Sequence, residues 1–274
     1  MAVRRIDNGR PARYNDKKRR NEASNMNRLK VLAIGNSFSQ NAMTHLHRLA
    51  AADGVWITTV NLMIGGCTLE RHANNIRRDA RDYTWQFNGV GSRIPLSVRE
   101  GLLTEKWDVV TMQQASGYSG LWDSYAPYIG ELSEYVRRYA PQAAQRVHQT
   151  WAYELDAPHR HFVFYDRSQK KMYDMLTDCY RRMSETIGAP IIPSGKVIQT
   201  LREETPAFDY AHGGLSLNRD GFHLTQGYGC YAAGLTWYAA LTGRDARKNR
   251  YSPAPDCDPA VLDAIRETVA RVVG

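Results

Sequence analysis

A serine near the start of the chain and an aspartate–histidine pair near its end are the residue types of a nucleophilic catalytic triad. Ser37 follows an apolar run at 31–34, and Asp220 and His223 are three residues apart ahead of an apolar segment. At that spacing the carboxylate can accept a hydrogen bond from the imidazole and stabilise its protonated form, as a serine-activating base requires. The simpler alternatives are a helix-capping role for Ser37 and a surface or capping role for His223.

The elements that must position these residues alternate between strand and helix patterns. The apolar run at 31–34 predicts a strand buried on both faces, followed by a turn and a helix. Further strands are predicted at 55–62, 107–112, 146–151 and 191–193, and helices at 125–139, 162–187, 196–204 and 228–241. This alternation predicts an α/β fold, a single-domain three-layer α/β/α sandwich with a mostly parallel sheet of about five strands. Ser37 would then lie at the carboxyl edge of the sheet, where open α/β folds place their sites.

Positive charge is concentrated at the start of the chain. The 274 residues carry a net charge of +8, and residues 1–30 account for +7 of it. We predict a basic extension over 1–28, too poor in apolar residues to fold by itself, and a catalytic domain over 29–274. Because the charge lies in a tail and not on a folded face, we expect no nucleic-acid partner. A basic arm that touches phosphate or anionic lipid is the alternative role for this segment.

The remaining composition is that of an ordinary globular domain, 43% hydrophobic and 23% charged. The four cysteines, at 67, 179, 230 and 257, are far apart and show no metal-ligand spacing, which predicts reduced, mostly buried thiols and no metal. Residues 1–28 lack the apolar core of a secretory signal, and the sequence contains no apolar run of membrane-spanning length. We therefore expect a cytoplasmic protein without membrane contact, and no cofactor is implied.

Three short blocks together resemble the SGNH/GDSL hydrolase superfamily. Gly-Asn-Ser-Phe-Ser at 35–39 is similar to its Gly-Asp-Ser-Leu block, and residues 61–68 are similar to its second block, with Gly66 in the position of the oxyanion-hole glycine. Asp-Gly-Phe-His at 220–223 is similar to the last block, which carries the acid and base of the triad. The resemblance covers about residues 29–243 and implies a flavodoxin-like fold and a serine esterase.

The first block departs from the superfamily pattern, and so does a further block at 113–116, which corresponds to the third block of the superfamily. Asn36 stands where Asp is usual, and Gln113 and Gln114 stand where the superfamily offers an Asn amide. A Gln amide supplies the same N–H donor on a stem one methylene longer. The resemblance therefore implies an oxyanion hole built from the N–H groups of Ser37 and Gly66 and a side-chain amide. We favour Gln114 as that amide, with Gln113 as the alternative.

The substrate implied by the subfamily with Gly-Asn-Ser-Phe-Ser and a Gln-Gln pair is an acetylated carbohydrate. Trp151 and Tyr153 follow a predicted strand and could stack on sugar faces, and His72 follows the oxyanion glycine and could contact substrate. The alternative for the rings is capping of the core, and for His72 a solvated helix start. The alternative functions are a short-chain lipase or thioesterase of the same superfamily and a non-catalytic carbohydrate-binding protein.

Overall fold

A computed structural model describes residues 28–274, and a seven-stranded sheet forms its centre. The strands are β1 (Arg28–Gly35), β2 (Trp56–Met63), β3 (Tyr83–Phe87), β4 (Val90–Leu96), β5 (Val109–Met112), β6 (Ala144–His148) and β7 (Ile191–Ile192). Their order across the sheet is β4-β3-β2-β1-β5-β6-β7. The strands β2, β1, β5, β6 and β7 are parallel, so their carboxyl ends meet at one edge of the sheet. The predicted extension lies outside the described residues, apart from Arg28, which begins β1.

Helices cover both faces of this sheet. They are α1 (Ser37–Met43), α2 (Leu46–Ala52), α3 (Leu69–Arg78), α4 (Val98–Leu103), α5 (Tyr128–Tyr139), α6 (Gln169–Ile187), α7 (Ser194–Glu204), α8 (Tyr228–Thr242) and α9 (Pro259–Val273). The helix α8 packs against α1, α2, α7 and α9, and α5 packs against α3, α4 and α6. The apolar residues 31–34 of β1 lie between these layers and are at most 1% exposed. The predicted three-layer α/β/α fold is therefore confirmed.

The sheet is wider than the predicted five strands because an antiparallel hairpin extends it. The strand β3 pairs antiparallel with β2, and β4 pairs antiparallel with β3. Both strands fall within residues 69–99, where the weak periodicity of the sequence predicts neither a strand nor a helix. The hairpin turn at Asn88 and Gly89 has positive φ values of 46° and 83°. Asn-Gly between two short strands is a strong hairpin signal, and it would have identified this element.

Two further features complete the fold. No helix within residues 28–274 is long and apolar enough to cross a membrane. All four cysteines are free, and three of them are buried, in agreement with the predicted reduced thiols.

Candidate active site

Ser37 is the first residue of α1, just beyond the end of β1. The amino end of this helix is capped by two neighbouring side chains, those of Asn36 and Ser39. The Asn36 side chain accepts a hydrogen bond from the N–H of Phe38 at 2.9 Å. The Ser39 hydroxyl oxygen in turn accepts from the N–H of Asn36 at 3.1 Å. This reciprocal capping box satisfies the helix terminus, so the hydroxyl of Ser37 is not needed as a cap.

The structure brings Ser37, His223 and Asp220 together. His223 Nε2 lies 2.8 Å from Ser37 Oγ, and His223 Nδ1 lies 2.7 Å from Asp220 Oδ2. Because an ionised carboxylate can only accept, Nδ1 carries the hydrogen and Nε2 is left to accept the hydroxyl proton of Ser37. This is the geometry that a nucleophile, a base and a group that orients the base would require.

Asp220 organises the loop as well as the imidazole. Its Oδ1 accepts from the N–H of Phe222 at 3.2 Å and from the N–H of His223 at 2.7 Å. Burial alone would raise the pKa of Asp220, but these hydrogen bonds and the one from the His223 ring outweigh it and lower the pKa below its ordinary value. Asp220 is therefore ionised at neutral pH, the state that supports a protonated imidazole.

Gly221 allows the loop to lie tightly against its support. Its φ of +85° is in the left-handed region, and a Cβ atom there would lie 2.7 Å from the Cα of Ala157. Its carbonyl accepts a hydrogen bond from the N–H of Glu154 at 2.7 Å. Any larger residue at 221 would push the loop away from this contact.

Trp151 packs beneath the loop that carries Asp220 and His223. Its predicted role as a ring that stacks on sugars is therefore wrong. Its side chain is fully buried and stacks on Phe38, with ring centroids 4.4 Å apart. Its Nε1 donates to the carbonyl oxygen of Phe222 at 2.8 Å. On the other side of the loop, Asn41 Oδ1 accepts from the N–H of Leu224 at 2.9 Å. Trp151 therefore positions the loop and does not face substrate.

The N–H groups of Ser37 and Gly66 are available to a ligand. Gly66 lies in the turn after β2 with φ +60°, a conformation that favours glycine. The turn is closed by a hydrogen bond from the N–H of Cys67 to the carbonyl of Ile64 at 3.2 Å. Within residues 28–274, the fold provides no acceptor for the N–H of Gly66 or of Ser37.

The structure contradicts the prediction that Gln114 donates to an oxyanion. Its Nε2 donates both hydrogens to Ser124, to the carbonyl oxygen at 2.9 Å and to Oγ at 3.0 Å. Its Oε1 accepts from the N–H groups of Leu69 and Ala115. The side chain is fully buried. Gln114 therefore joins two loops, and its amide has no hydrogen left for a ligand.

Gln113 belongs to a directed series of hydrogen bonds beneath Ser37, which we call the amide chain (His148, Gln113 and Asn36). His148 Nδ1 donates to Gln113 Oε1, and Gln113 Nε2 donates to Asn36 Oδ1 at 2.7 Å. Asn36 Nδ2 then donates to the carbonyl oxygen of Cys67 at 3.3 Å, next to Gly66. Burial lowers the pKa of His148 to about 3, so every member of the chain is uncharged. Gln113 contributes to the site by orienting Asn36.

Two other predicted substrate contacts are also buried. The hydroxyl of Tyr153 lies 2.9 Å from Ser116 Oγ, and the side chain is inaccessible to solvent. His72 lies on the inner face of α3, where Nδ1 contacts the hydroxyl of Tyr83 at 2.8 Å. Burial lowers the pKa of His72 to about 3. The prediction for Tyr153 was wrong because β6 ends at His148, three residues earlier than predicted. The residues on either side of Tyr153 then bond to the triad loop, through Trp151 Nε1 and the N–H of Glu154.

A row of partly exposed rings leads away from the triad; we call Phe222, His159, His161 and Phe164 the ring row. Phe222 and His159 have centroids 4.9 Å apart, and His159 and His161 have centroids 5.2 Å apart. Phe164 stacks on His161 at 5.3 Å and is 44% exposed. Sequence reasoning missed these residues, although the density of His and Phe over 159–164 was a usable signal.

A buried ion pair, also missed, supports the triad loop. Arg202 Nη2 lies 3.6 Å from Glu154 Oε2, and the two side chains are 5% and 2% exposed. Arg202 Nη1 donates to the carbonyl of Ala152 at 3.0 Å, and Nη2 donates to Asn218 Oδ1. Glu154 Oε2 accepts from the hydroxyl of Ser216 at 2.7 Å. No sequence motif marks this pair, because its members are far apart in the chain.

Comparison with known proteins identifies the family. A family model described as a domain of unknown function, DUF4886, matches residues 30–261. The chain belongs to the DUF4886 family. It is 38% identical to a DUF4886 family protein from Bacteroides uniformis ATCC 8492, whose crystal structure superposes with a TM-score of 0.83 over 90% of this chain and 95% of that chain. No curated protein matches this DUF4886 chain at a significant level.

A second structural relative concerns the fold. A candidate SGNH hydrolase from Slackia heliotrinireducens has a TM-score of 0.52 and 22% identity to this chain, covering 78% of this chain and 100% of that chain. At this identity the likeness shows that the two proteins share a fold. The resemblance to the SGNH superfamily is thus confirmed for the architecture.

Proposed function

We propose that this DUF4886 protein is a serine ester hydrolase that removes acetyl groups from a carbohydrate. The observation that carries the proposal is the pair of contacts Ser37 Oγ to His223 Nε2 at 2.8 Å and His223 Nδ1 to Asp220 Oδ2 at 2.7 Å. Helix capping does not explain them, because Asn36 and Ser39 already cap α1. A hydroxyl bonded to an oriented, unprotonated imidazole nitrogen is prepared for attack on a carbonyl carbon.

Acylation begins when His223 Nε2 accepts the proton of Ser37 Oγ as that oxygen bonds to the ester carbonyl carbon. The carbonyl oxygen becomes an oxyanion, which the N–H groups of Ser37 and Gly66 stabilise. The protonated imidazole is stabilised by ionised Asp220. His223 then gives the proton to the sugar oxygen as the carbon–oxygen bond breaks, leaving an acetyl group on Ser37.

Deacylation repeats these steps with water as the nucleophile. His223 Nε2 accepts a proton from a water molecule as its oxygen attacks the acetyl carbon. The same two N–H groups stabilise the second oxyanion. Its collapse breaks the bond to Ser37 Oγ, which recovers the proton from His223, and acetate leaves.

The ring row supports the choice of a carbohydrate. Phe222 lies beside His223, with ring centroids 4.3 Å apart, and the row continues from it to the exposed ring of Phe164. Aromatic faces suit the flat C–H faces of sugars, and the neighbouring imidazoles supply hydrogen-bonding atoms. The resemblance to a carbohydrate-esterase-like subfamily points in the same direction.

The test is hydrolysis of p-nitrophenyl acetate by Ser37→Ala. We expect kcat to fall at least about a thousandfold, because the members of a triad act as a unit. Ser252→Ala is the matched control, since Ser252 is exposed and its hydroxyl bonds only to the carbonyl of Ala254. Unfolding by urea should be unchanged in both variants. Retention of wild-type turnover by Ser37→Ala would exclude the proposal.

Substrate comparison separates the proposal from its rivals. An acetylated oligosaccharide should be hydrolysed with a higher kcat/KM than p-nitrophenyl esters of longer acyl chains. A preference that increases with acyl length would indicate a lipase or thioesterase instead. Glycan binding without turnover of any acetate ester would indicate a carbohydrate-binding protein.

A further inference from the structure

A polar groove opens within one helical turn of Ser37. It has a volume of about 360 Å³ and lies between α1, α2 and the turn that joins β3 to β4. Gln40 of α1 lines the groove, and since it is three residues after Ser37 the two side chains share a face of the helix. Arg48 lines the α2 end, and Arg219 reaches the groove from the residue before Asp220. The groove is thus lined by chain neighbours of Ser37 and of Asp220, although no triad residue lines it.

The charges in this groove are positive and uncompensated. No carboxylate lines it. Arg48 is exposed and forms no ion pair within residues 28–274, and Arg219 only donates from Nη1 to the carbonyl of Leu224 at 2.7 Å. Arg77, by comparison, is an exposed arginine with a carboxylate partner, Glu131 at 2.6 Å. The groove therefore presents two guanidinium groups to solvent without a counter-charge.

His47 adds a hydrogen-bonding atom that the protein leaves unused. Its Nδ1 is buried and has no partner within the described residues. Burial, followed by the positive charge of Arg48, lowers the pKa of His47. The adjacent His45 differs, because its nitrogens bond to the hydroxyl of Tyr251 and the carbonyl of Gln226. A buried polar atom without a partner in a basic groove points to an external hydrogen-bonding partner.

We infer that this groove binds an anionic group of the substrate, so that the ester hydrolysed at Ser37 belongs to an acidic carbohydrate. Arg48 and Arg219 would contact the anion, and His47 would complete the site. A helical turn advances 5.4 Å, about the length of one sugar residue, so a sugar next to the acetylated one would reach Gln40, where the groove begins. The inference rests on the proposed function and adds the charge of the substrate to it.

The activity test compares two acetylated oligosaccharides of equal length, one neutral and one with a uronate residue. We expect wild-type kcat/KM to be at least about tenfold higher for the uronate substrate, the value of one hydrogen bond to a charged group. Arg48→Gln should remove this preference, and high salt should weaken it. Arg138→Gln is the matched control, because Arg138 is an exposed arginine of α5 outside the groove. Equal values for the two substrates in the wild type would overturn the inference.

A binding test does not depend on turnover. In the Ser37→Ala background, glucuronate and glucose 6-sulfate should shift the NMR signals of α1 and α2, whereas glucose should not. Arg48→Gln in that background should weaken anion binding at least about tenfold. The stronger ligand identifies the anion as a carboxylate or a sulfate. Anion binding by a protein whose wild type hydrolyses no ester would support the anion site in the groove and contradict the proposed esterase. Ester hydrolysis by the wild type without anion binding would support the esterase and contradict the anion site.

Discussion

Ser37 and His223 are supported by regions of opposite electrical character. Beneath Ser37 lies the uncharged amide chain, in which each side chain donates to the next and the last bond ends on the carbonyl of Cys67. Beneath the loop of His223 lies the ion pair of Arg202 and Glu154, nearly excluded from solvent. The first region is built at strand ends, whereas the second joins Arg202 of α7 to Glu154 in a loop.

The two regions differ in the free energy that the fold loses when one of their side chains is removed. In the amide chain a lost group leaves one neutral neighbour without a partner, which costs about 1–3 kcal/mol. In the ion pair a lost group leaves a full charge in a buried site, which costs about 3–5 kcal/mol. We therefore expect the triad loop to be the more fragile half of the site.

Arg202→Met should have the largest effect on stability. The substitution leaves the Glu154 carboxylate buried without its counter-charge and removes the donor to Asn218, close to the triad loop. We expect the free energy of unfolding in urea to fall by about 3–5 kcal/mol. The turnover of p-nitrophenyl acetate should fall as well, with KM little changed.

The exposed pair of Arg271 and Glu204 is the matched control, with side chains 58% and 52% exposed. Arg271→Met should cost no more than about 1 kcal/mol. Adding Glu154→Gln to Arg202→Met should restore part of the lost stability, because it removes the unpaired charge. A loss for Arg202→Met as small as for the control would show that the two regions do not differ in this way.

His148 gives the amide chain a pH dependence of its own. The folded protein keeps His148 neutral down to about pH 3, whereas the unfolded chain takes up a proton near pH 6.5. The free energy of unfolding therefore falls as the pH falls below 6.5. From pH 7 to pH 5 this one histidine should cost about 2 kcal/mol.

His148→Gln should flatten the pH profile of unfolding by about that amount, even if the variant is less stable at pH 7. Thr186→Ala is the control, because Thr186 is an exposed residue of α6 without a titratable side chain and its substitution should leave the slope unchanged. An identical slope in wild type and His148→Gln would show that His148 is protonated in the folded state.

Asn36→Asp should have the smallest effect and should act on rate. The change keeps the acceptor for the N–H of Phe38 but replaces the donor to Cys67 with a second carboxylate oxygen. The turn that carries Gly66 then loses one hydrogen bond, worth about 1 kcal/mol. We expect kcat to fall about fivefold at nearly constant KM. Asn74→Asp, at a partly exposed position of α3, should leave kcat unchanged. A faster Asn36→Asp variant would contradict the role given to this donor.

The sequence predicts those parts of the fold and site that depend on local patterns. The apolar run of β1, the following Gly35 and the three-residue spacing of Asp220 and His223 are local, and the corresponding elements lie where we expected them. The two glutamines were ambiguous, because their roles depend on partners in other loops, such as Ser124 for Gln114.

The features that the sequence did not predict depend on contacts between residues far apart in the chain. The ion pair joins Glu154 and Arg202, and neither position has a sequence signal of its own. Trp151 and Tyr153 looked like exposed platform residues, but a strand end three residues earlier than expected places them under the triad loop. Whether a ring just after a strand is buried depends on the path of the chain beyond the strand. The local periodicity of the sequence does not predict that path.

Ser37 and His223 are far apart in the sequence, so the ribosome adds them to the chain at different times. The two residues are 186 positions apart, so at about 5–20 residues per second a ribosome needs roughly 10–40 s to add the second after the first. Throughout that interval the nascent chain carries a serine without its proton acceptor. A chain that stops before the last block would present the same hydroxyl without this partner, so the proposed nucleophile would be activated only after the Asp220–His223 loop has been synthesised.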